Sequence, residues 1–228
     1  MPPGLDLRSA LHRASRRYQT LRRPGSLWLW GYAWSKFRMD PAYLQVAALI
    51  GPQSLTLDLG SGLAMLPALL AEMGEGRRAV ALEWDGTKVE AAQRALGDHP
   101  ELRIEQADAF EAEFPTCDAV VLMDVLHYFP EHLQDRLLQK ARTALRPGGR
   151  LIIRETEAQR GGGRAFTRGL EWFAIHCGWN RGPELHYRSR SQWLAALEAL
   201  GIKRVESLES SRFTPGNILV HGIKEEAS

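Results

Sequence analysis

Two glycines and two carboxylates carry the strongest chemical signal in this chain. Asp58-Leu59-Gly60-Ser61-Gly62 follows the apolar run Leu55-Thr56-Leu57, and Glu83 closes a second apolar run, Arg78-Ala79-Val80-Ala81-Leu82. Glycines at 60 and 62 let the backbone turn sharply at a strand end and approach a ligand closely. A carboxylate about twenty residues further on can hold both hydroxyls of a ribose. The pairing reads as a site for a ligand built on adenosine.

The rest of the loop narrows that ligand. A dinucleotide site wants a third glycine three residues after the second, so that a helix N-terminus can face a pyrophosphate. Here that position is Met65. Asp58, at the strand end, would repel a diphosphate but suits a ligand that carries an ammonium and a sulfonium. The ligand implied is S-adenosylmethionine.

Five blocks in register then resemble the class I S-adenosylmethionine-dependent methyltransferases, over roughly residues 54 to 224. They are the Asp58 loop, Glu83, Gln106-Ala107-Asp108-Ala109-Phe110, the run Cys117-Asp118-Ala-Val-Val-Leu-Met-Asp124-Val125-Leu126-His127-Tyr128-Phe129, and Leu145-Arg-Pro147-Gly148-Gly149-Arg-Leu-Ile-Ile-Arg154. The resemblance implies that Asp58 and the backbone of Gly60, Ser61 and Gly62 face the methionine moiety, and that Glu83 takes the ribose hydroxyls. It implies further that Asp108, with Ala109 beside it, accepts from the adenine amino group, that Trp84 covers an adenine face, and that Asp124, Val125 and Leu126 form cofactor wall. No metal is implied.

Methyl transfer from a sulfonium is an in-line displacement, so alignment and exclusion of water do most of the work. A hydroxyl acceptor must still lose a proton, and histidine is the natural base near neutrality. His127, four residues past Met123, is the candidate catalytic base, with cofactor lining as its other reading; Glu155, at the end of the fifth apolar run, is a candidate second acid or base. His176, Trp179, His186 and Tyr187 follow in a segment whose stripe Phe166, Leu170, Phe173, Cys177 reads as packing.

These residues need a scaffold. Apolar runs near 54–59, 78–83, 102–106, 117–123 and 150–154 alternate with helical patterns near 63–73, 86–96, 131–145, 165–177 and 191–200, the last capped by Ser191 and ended by Gly201. That alternation predicts an α/β fold, a mostly parallel sheet with helices on both faces. Strands are expected at 201–206 and 217–224. In the resembled family the seventh strand is antiparallel and inserted between the fifth and sixth, giving a Rossmann-like, seven-stranded sheet. The 228 residues, 44% of them hydrophobic, suffice for one such domain at 51–228 and an accessory segment at 1–50. Cys117 and Cys177 stand sixty residues apart, without metal-ligand spacing, and read as reduced residues of an intracellular protein.

The accessory segment differs in charge from all that follows. Residues 1–38 hold eight Lys or Arg and one acid, Asp6, a balance of +7; the remainder holds 21 bases and 26 acids, or −5. Leu7, Leu11, Ala14, Tyr18 and Leu21 recur at helical spacing opposite Arg13, Arg16 and Arg23, and Leu27 to Trp34 contains three tryptophans. One reading is a helical lid over the cofactor that excludes water. A second is a basic face that docks an acidic partner such as an acyl carrier protein, or an anionic membrane surface; nucleic acid and an Arg-rich transit peptide are the remaining readings. No stretch reaches the ~18 apolar residues of a spanning helix, and 27–34 is too short and tryptophan-rich for a signal peptide. A cytoplasmic protein, with peripheral membrane attachment as an alternative, is expected.

Missing residues argue against other acceptors. Amino-directed DNA enzymes resemble one another in an Asn or Asp followed by Pro-Pro and an aromatic after strand four, and cytosine-directed ones in a Pro-Cys nucleophile; here the chain reads Asp124-Val-Leu-His127. Nucleic acid is therefore an unfavoured acceptor. Trp34-Ser-Lys36-Phe-Arg38-Met-Asp40-Pro41 resembles stand-alone methyltransferases of bacterial aryl-polyene pigment clusters. The expectation is O-methylation of a small or carrier-bound hydroxylated aromatic or polyene metabolite in bacterial secondary metabolism. Alternatives are a non-catalytic S-adenosylmethionine-binding interaction protein, or an enzyme acting on a lipid or nucleic acid.

Overall fold

Strands as uniformly apolar as Leu-Ile-Ile or Ala-Val-Val-Leu are suited to burial on both faces, and both faces are covered here. The computed structural model describes residues 7–19, 26–157, 185–210 and 216–225. Its sheet comprises β1 (Leu55–Leu59), β2 (Arg78–Glu83), β3 (Leu102–Gln106), β4 (Cys117–Met123), β5 (Leu145–Thr156), β6 (Ile202–Glu209) and β7 (Asn217–Lys224), in the order β3-β2-β1-β4-β5-β7-β6. β1 to β5 are parallel, and β7 runs antiparallel to both β5 and β6. This is the expected topology. The strand order reverses between β1 and β4, which leaves a crevice at the carboxyl ends of those two strands.

Alternate strand residues divide between two apolar layers. Ala119, Val121 and Ile152 pack with α1 (Leu7–Arg17), α2 (Ser26–Met39), α3 (Ala42–Ala48), α4 (Met65–Met73) and α5 (Gly86–Leu96). Val120, Leu122, Leu151 and Ile153 pack with α6 (Glu131–Ala144) and α7 (Arg190–Ala199), where Trp193 and Leu197 are buried. The thiol of Cys117 lies in this second layer, and burial, with Asp118 adding to it, pushes its pKa up to about 12.

Two local expectations need correction, and one element is new. α7 is capped by Ser189 rather than Ser191: the Ser189 hydroxyl accepts from the Gln192 N–H at 3.3 Å while Gln192 Oε1 accepts from the Ser189 N–H at 2.8 Å, a reciprocal capping box. β5 begins at Leu145 rather than 150, because Leu145 already pairs with Cys117 of β4 and the Pro147-Gly148-Gly149 stretch is taken up as a register shift before Arg150 pairs with Ala119. A short 3₁₀ turn, Leu126–Tyr128, follows β4. The helix expected at 165–177, with His176, Trp179 and Cys177, lies outside the described residues.

The N-terminal helices are built into the domain. Ala10, Ala14 and Tyr18 are buried, with α1 packed on α4, and the Tyr18 hydroxyl donates to the Leu63 carbonyl at 2.7 Å. Arg13 and Arg17 both donate to Glu72, at 3.0 and 2.8 Å, so part of the basic face is spent on acids of the same chain. Leu21 and Arg23 lie outside the described residues. At the end of α2, Asp40 Oδ2 takes a hydrogen bond from Arg154 of β5 at 3.2 Å.

Candidate active site

The crevice is a cavity of about 610 Å³, within the range of small-molecule sites. All ten residues expected to hold the cofactor line it: Asp58, Gly60, Ser61, Gly62, Glu83, Trp84, Asp108, Ala109, Asp124 and Val125. Leu126, expected as wall, is instead fully buried in the core. The two catalytic candidates, His127 and Glu155, do not line the cavity and form a pair beside it.

The loop after β1 has the geometry its glycines predict. Gly60 and Gly62 have φ of 68° and 57°, and Ala64, the N-cap of α4, is also left-handed. A side chain at Gly60 would have a second problem besides φ, since its Cβ would lie 2.5 Å from Val125 Cγ2. The loop is tied to β2 by the Gly60 and Ser61 N–H groups, which both donate to the Leu82 carbonyl at 2.8 and 3.1 Å.

Glu83 holds the loop and faces the cavity at once. Its Oε2 accepts from the Gly62 N–H at 2.7 Å and its Oε1 from the Asp85 N–H at 3.0 Å. Each oxygen keeps a lone pair for a further donor, as a ribose diol requires. Asp108 is exposed; its Oδ1 accepts from the Phe110 N–H at 2.8 Å, and Lys140 steadies that turn through the Ala109 and Phe110 carbonyls at 2.9 and 2.8 Å. Trp84 is 56% exposed at the cavity rim.

Asp58 differs from both. It is 3% exposed, and among the described residues no group hydrogen-bonds to its carboxyl. Burial, with Glu83 adding to it, raises its pKa from 3.8 to about 8. Ser61 Oγ, also in the cavity wall, is buried without a hydrogen-bond partner among the described residues. An uncompensated acid and an unused hydroxyl in the cavity wall suit a ligand that brings positive charge and hydrogen-bonding groups, as the ammonium and sulfonium of S-adenosylmethionine would.

Residues that the sequence did not assign to the site brace Asp124 and extend the wall. Asp124 sits at φ 56° and is gripped by Arg154 Nη1, while Arg154 Nη2 reaches Asp40. Burial works against the Arg154 charge, but Asp124 and Asp40 outweigh it and hold the guanidinium pKa above its ordinary value. Tyr32 and Lys36 of α2 and Tyr43 of α3 also line the cavity, with the Tyr43 hydroxyl 3.7 Å from Met65 Sδ. The one advance signal was an arginine closing the apolar run Leu-Ile-Ile of β5.

His127 and Glu155 are both buried. His127 Nδ1 lies 2.7 Å from Glu155 Oε2, and Glu155 Oε1 accepts from the Leu126 N–H at 2.7 Å. The imidazole packs on Tyr128 at 4.1 Å between ring centroids and is stacked on Tyr187 at 5.5 Å. The His127 carbonyl accepts from the His186 N–H at 2.8 Å, and Gln134 ties together the Phe129 and His186 carbonyls.

Known proteins share this fold. Residues 57–153 match the family model described as methyltransferase domain. Bovine acetylserotonin O-methyltransferase is 27% identical over 157 residues, which cover 68% of this chain and 43% of that protein. Residues 57–153 therefore resemble a methyltransferase domain, and the sheet order is that of the class I S-adenosylmethionine-dependent methyltransferase fold. Among solved structures, human N-acetylserotonin methyltransferase in complex with S-adenosylmethionine matches the fold with a TM-score of 0.63 at 15% identity, covering 96% of this chain and 66% of that one. The mitomycin 7-O-methyltransferase MmcR matches at 0.64 and 21% identity, covering 95% and 67%. The chain spans less than half the length of the curated relatives it matches.

Two outcomes follow for the methyltransferase domain. Glu83→Ala weakens S-adenosylmethionine binding by about 1–3 kcal/mol in isothermal titration, because ribose hydroxyls lose a charged acceptor and the Gly62 N–H loses its tie; unchanged affinity removes Glu83 from the site. Asp58→Asn changes ligand-free stability with a definite sign. A carboxyl with a raised folded pKa keeps its proton in the native state while the unfolded chain releases it, so it erodes stability as pH rises from about 4 to about 8. The melting temperature of Asp58→Asn therefore exceeds that of the wild type by a margin that grows over that interval; a pH-independent margin contradicts the assignment.

Proposed function

We propose that the protein moves a methyl group from S-adenosylmethionine to the oxygen of a hydroxylated aromatic or polyene acceptor, free or held on a carrier protein. The observation that carries this reading is the buried His127–Glu155 pair next to two residues of the cavity wall, Tyr128 and Phe129. The named O-methyltransferases among the similar proteins support it.

Bound S-adenosylmethionine supplies an electrophilic methyl whose sulfur leaves neutral. Asp58, Ser61 and Glu83 fix its orientation, and Tyr32 and Tyr43 offer aromatic surface to an acceptor. With Nδ1 bonded to a carboxylate, the ring proton resides on Nδ1 and Nε2 is the basic atom. As the acceptor oxygen bonds to the methyl carbon and the sulfur leaves, its proton passes to Nε2, which requires the acceptor to reach past the wall at Tyr128 to the imidazole packed behind it. Glu155 stabilises the imidazolium that results. With both oxygens engaged by Leu126 and His127, Glu155 acts as a positioning residue and not as a second acid or base. The setting in bacterial secondary metabolism, raised by the aryl-polyene resemblance, remains part of this proposal.

The test is transfer from labelled S-adenosylmethionine to a panel of phenols and carrier-linked hydroxyaryl thioesters, with the methyl located by NMR. O-methyl product is expected. His127→Gln lowers kcat by about 10²–10⁴-fold with cofactor affinity retained, and Glu155→Gln shifts the pH dependence of kcat as well as its size. Methylation of amines with phenols untouched, or a methyl on ring carbon, overturns the oxygen assignment.

A further inference from the structure

The helix that supplies Tyr32 and Lys36 to the cavity also carries most of the exposed large apolar surface among the described residues. Leu27 is 66% exposed, Trp28 57%, Trp34 45% and Met39 59%; outside α2 only Trp84 and Leu208 join them. On a helical projection Leu27, Gly31, Trp34 and Arg38 form one stripe, with Trp28 and Met39 along its border. A Cβ added at Gly31 would meet nothing within 4 Å, so this face is open. Clusters of this kind mark interaction surfaces rather than scattered exposure.

Three observations bear on the occupant. First, α2 contains Lys36 and Arg38 and no acid, and the Arg38 guanidinium lies 5.5 Å from the Trp34 ring centroid. Aromatic and aliphatic groups beside arginine and lysine are the composition of a helix lying in a lipid interface. Second, charge is polarised: residues 1–38 carry +7 and the remainder −5, and with Arg13 and Arg17 paired to Glu72 the first part still holds an excess of bases. An anionic surface is complementary to the first part and repels the second. Third, the exposed face is continuous with the cavity, because Trp28 stacks on Tyr32 at 5.7 Å and 16°, and Tyr32 lines the wall. No helix among the described residues is long and apolar enough to cross a membrane, so attachment would be by lying on the surface.

We infer that the Leu27–Met39 face of α2 seats the protein on an anionic lipid surface, from which an apolar acceptor enters the cavity along Trp28 and Tyr32. This rests on the reading of the protein as a methyltransferase of apolar hydroxyl compounds. An acidic carrier protein would use the positive charge but gives no account of exposed Leu27, Trp34 and Met39.

The experiment is co-sedimentation of the full chain with vesicles of phosphatidylcholine alone and of phosphatidylcholine mixed with phosphatidylglycerol, beside titration with S-adenosylmethionine. The wild type partitions to the mixed vesicles, and brominated acyl chains quench its tryptophan fluorescence. Leu27→Ser/Trp34→Ser/Met39→Ser lowers partitioning by about tenfold or more with cofactor binding unchanged. A wild type that ignores mixed vesicles at low salt, that binds an acidic carrier protein instead, or whose triple variant partitions equally well overturns the inference. Failure to bind S-adenosylmethionine, by contrast, overturns the methyltransferase reading whatever the vesicles show.

Discussion

A carboxyl group held out of water, with no hydrogen-bond donor to it among the described residues, is the constraint on which the site depends. Asp58 is the penultimate residue of β1, an interior strand, so its position is set by pairing with β2 on one side and β4 on the other. The sheet cannot shift to relieve it without losing two parallel ladders. Burying such a group costs stability unless its charge is suppressed or matched, and in the free protein it is suppressed by retention of a proton. A cationic ligand offers the match that the protein withholds. The site is thus unfinished in a specific chemical sense.

The residues around that carboxyl work in two groups, wall residues and those that brace them. Gly62, Glu83 and Asp85 form one backbone-anchored unit, in which the same acid that faces the ligand closes the loop. Asp124, Arg154 and Asp40 form the other, a buried cation between two acids that joins the β4 and β5 ends to the junction of α2 and α3. Removing Arg154 would strand two acids, so the N-terminal helices and the far wall of the cavity stand or fall together. That coupling explains how residues of α2 and α3 come to line a site otherwise built from strand ends.

What was legible in the sequence was local. Gly60 and Gly62 announce positive φ, Glu83 closes β2, Asp108 stands two residues past β3, and Asp124 follows β4; each signal lies within one strand-and-turn unit, so these ten wall positions could be named while Tyr32, Lys36 and Tyr43 could not. The parallel order, with β7 inserted, was legible through the resemblance those units carry. Contacts made across the chain were not. Asp40 and Arg154 meet over 114 residues, Tyr18 and Leu63 over 45, and neither pairing has a periodicity to betray it. Glu155 was picked out for its place at a strand end, but its partnership with His127 needs the β4 turn folded against β5. The cap of α7 was readable, since Ser189 and Gln192 stand at capping-box spacing, and Ser191 was the poorer choice.

The most direct test of the central claim is the proton balance of cofactor binding. At pH 7 the free protein holds Asp58 mostly protonated, and a cation seated beside it favours the carboxylate. Isothermal titration with S-adenosylmethionine in phosphate and in Tris, whose ionisation enthalpies differ, should give heats that differ by the release of about one proton per site. Asp58→Asn should abolish the difference. Equal heats in the two buffers for the wild type would mean that Asp58 does not receive the ligand's charge, and would contradict its role as the acid that the cofactor completes.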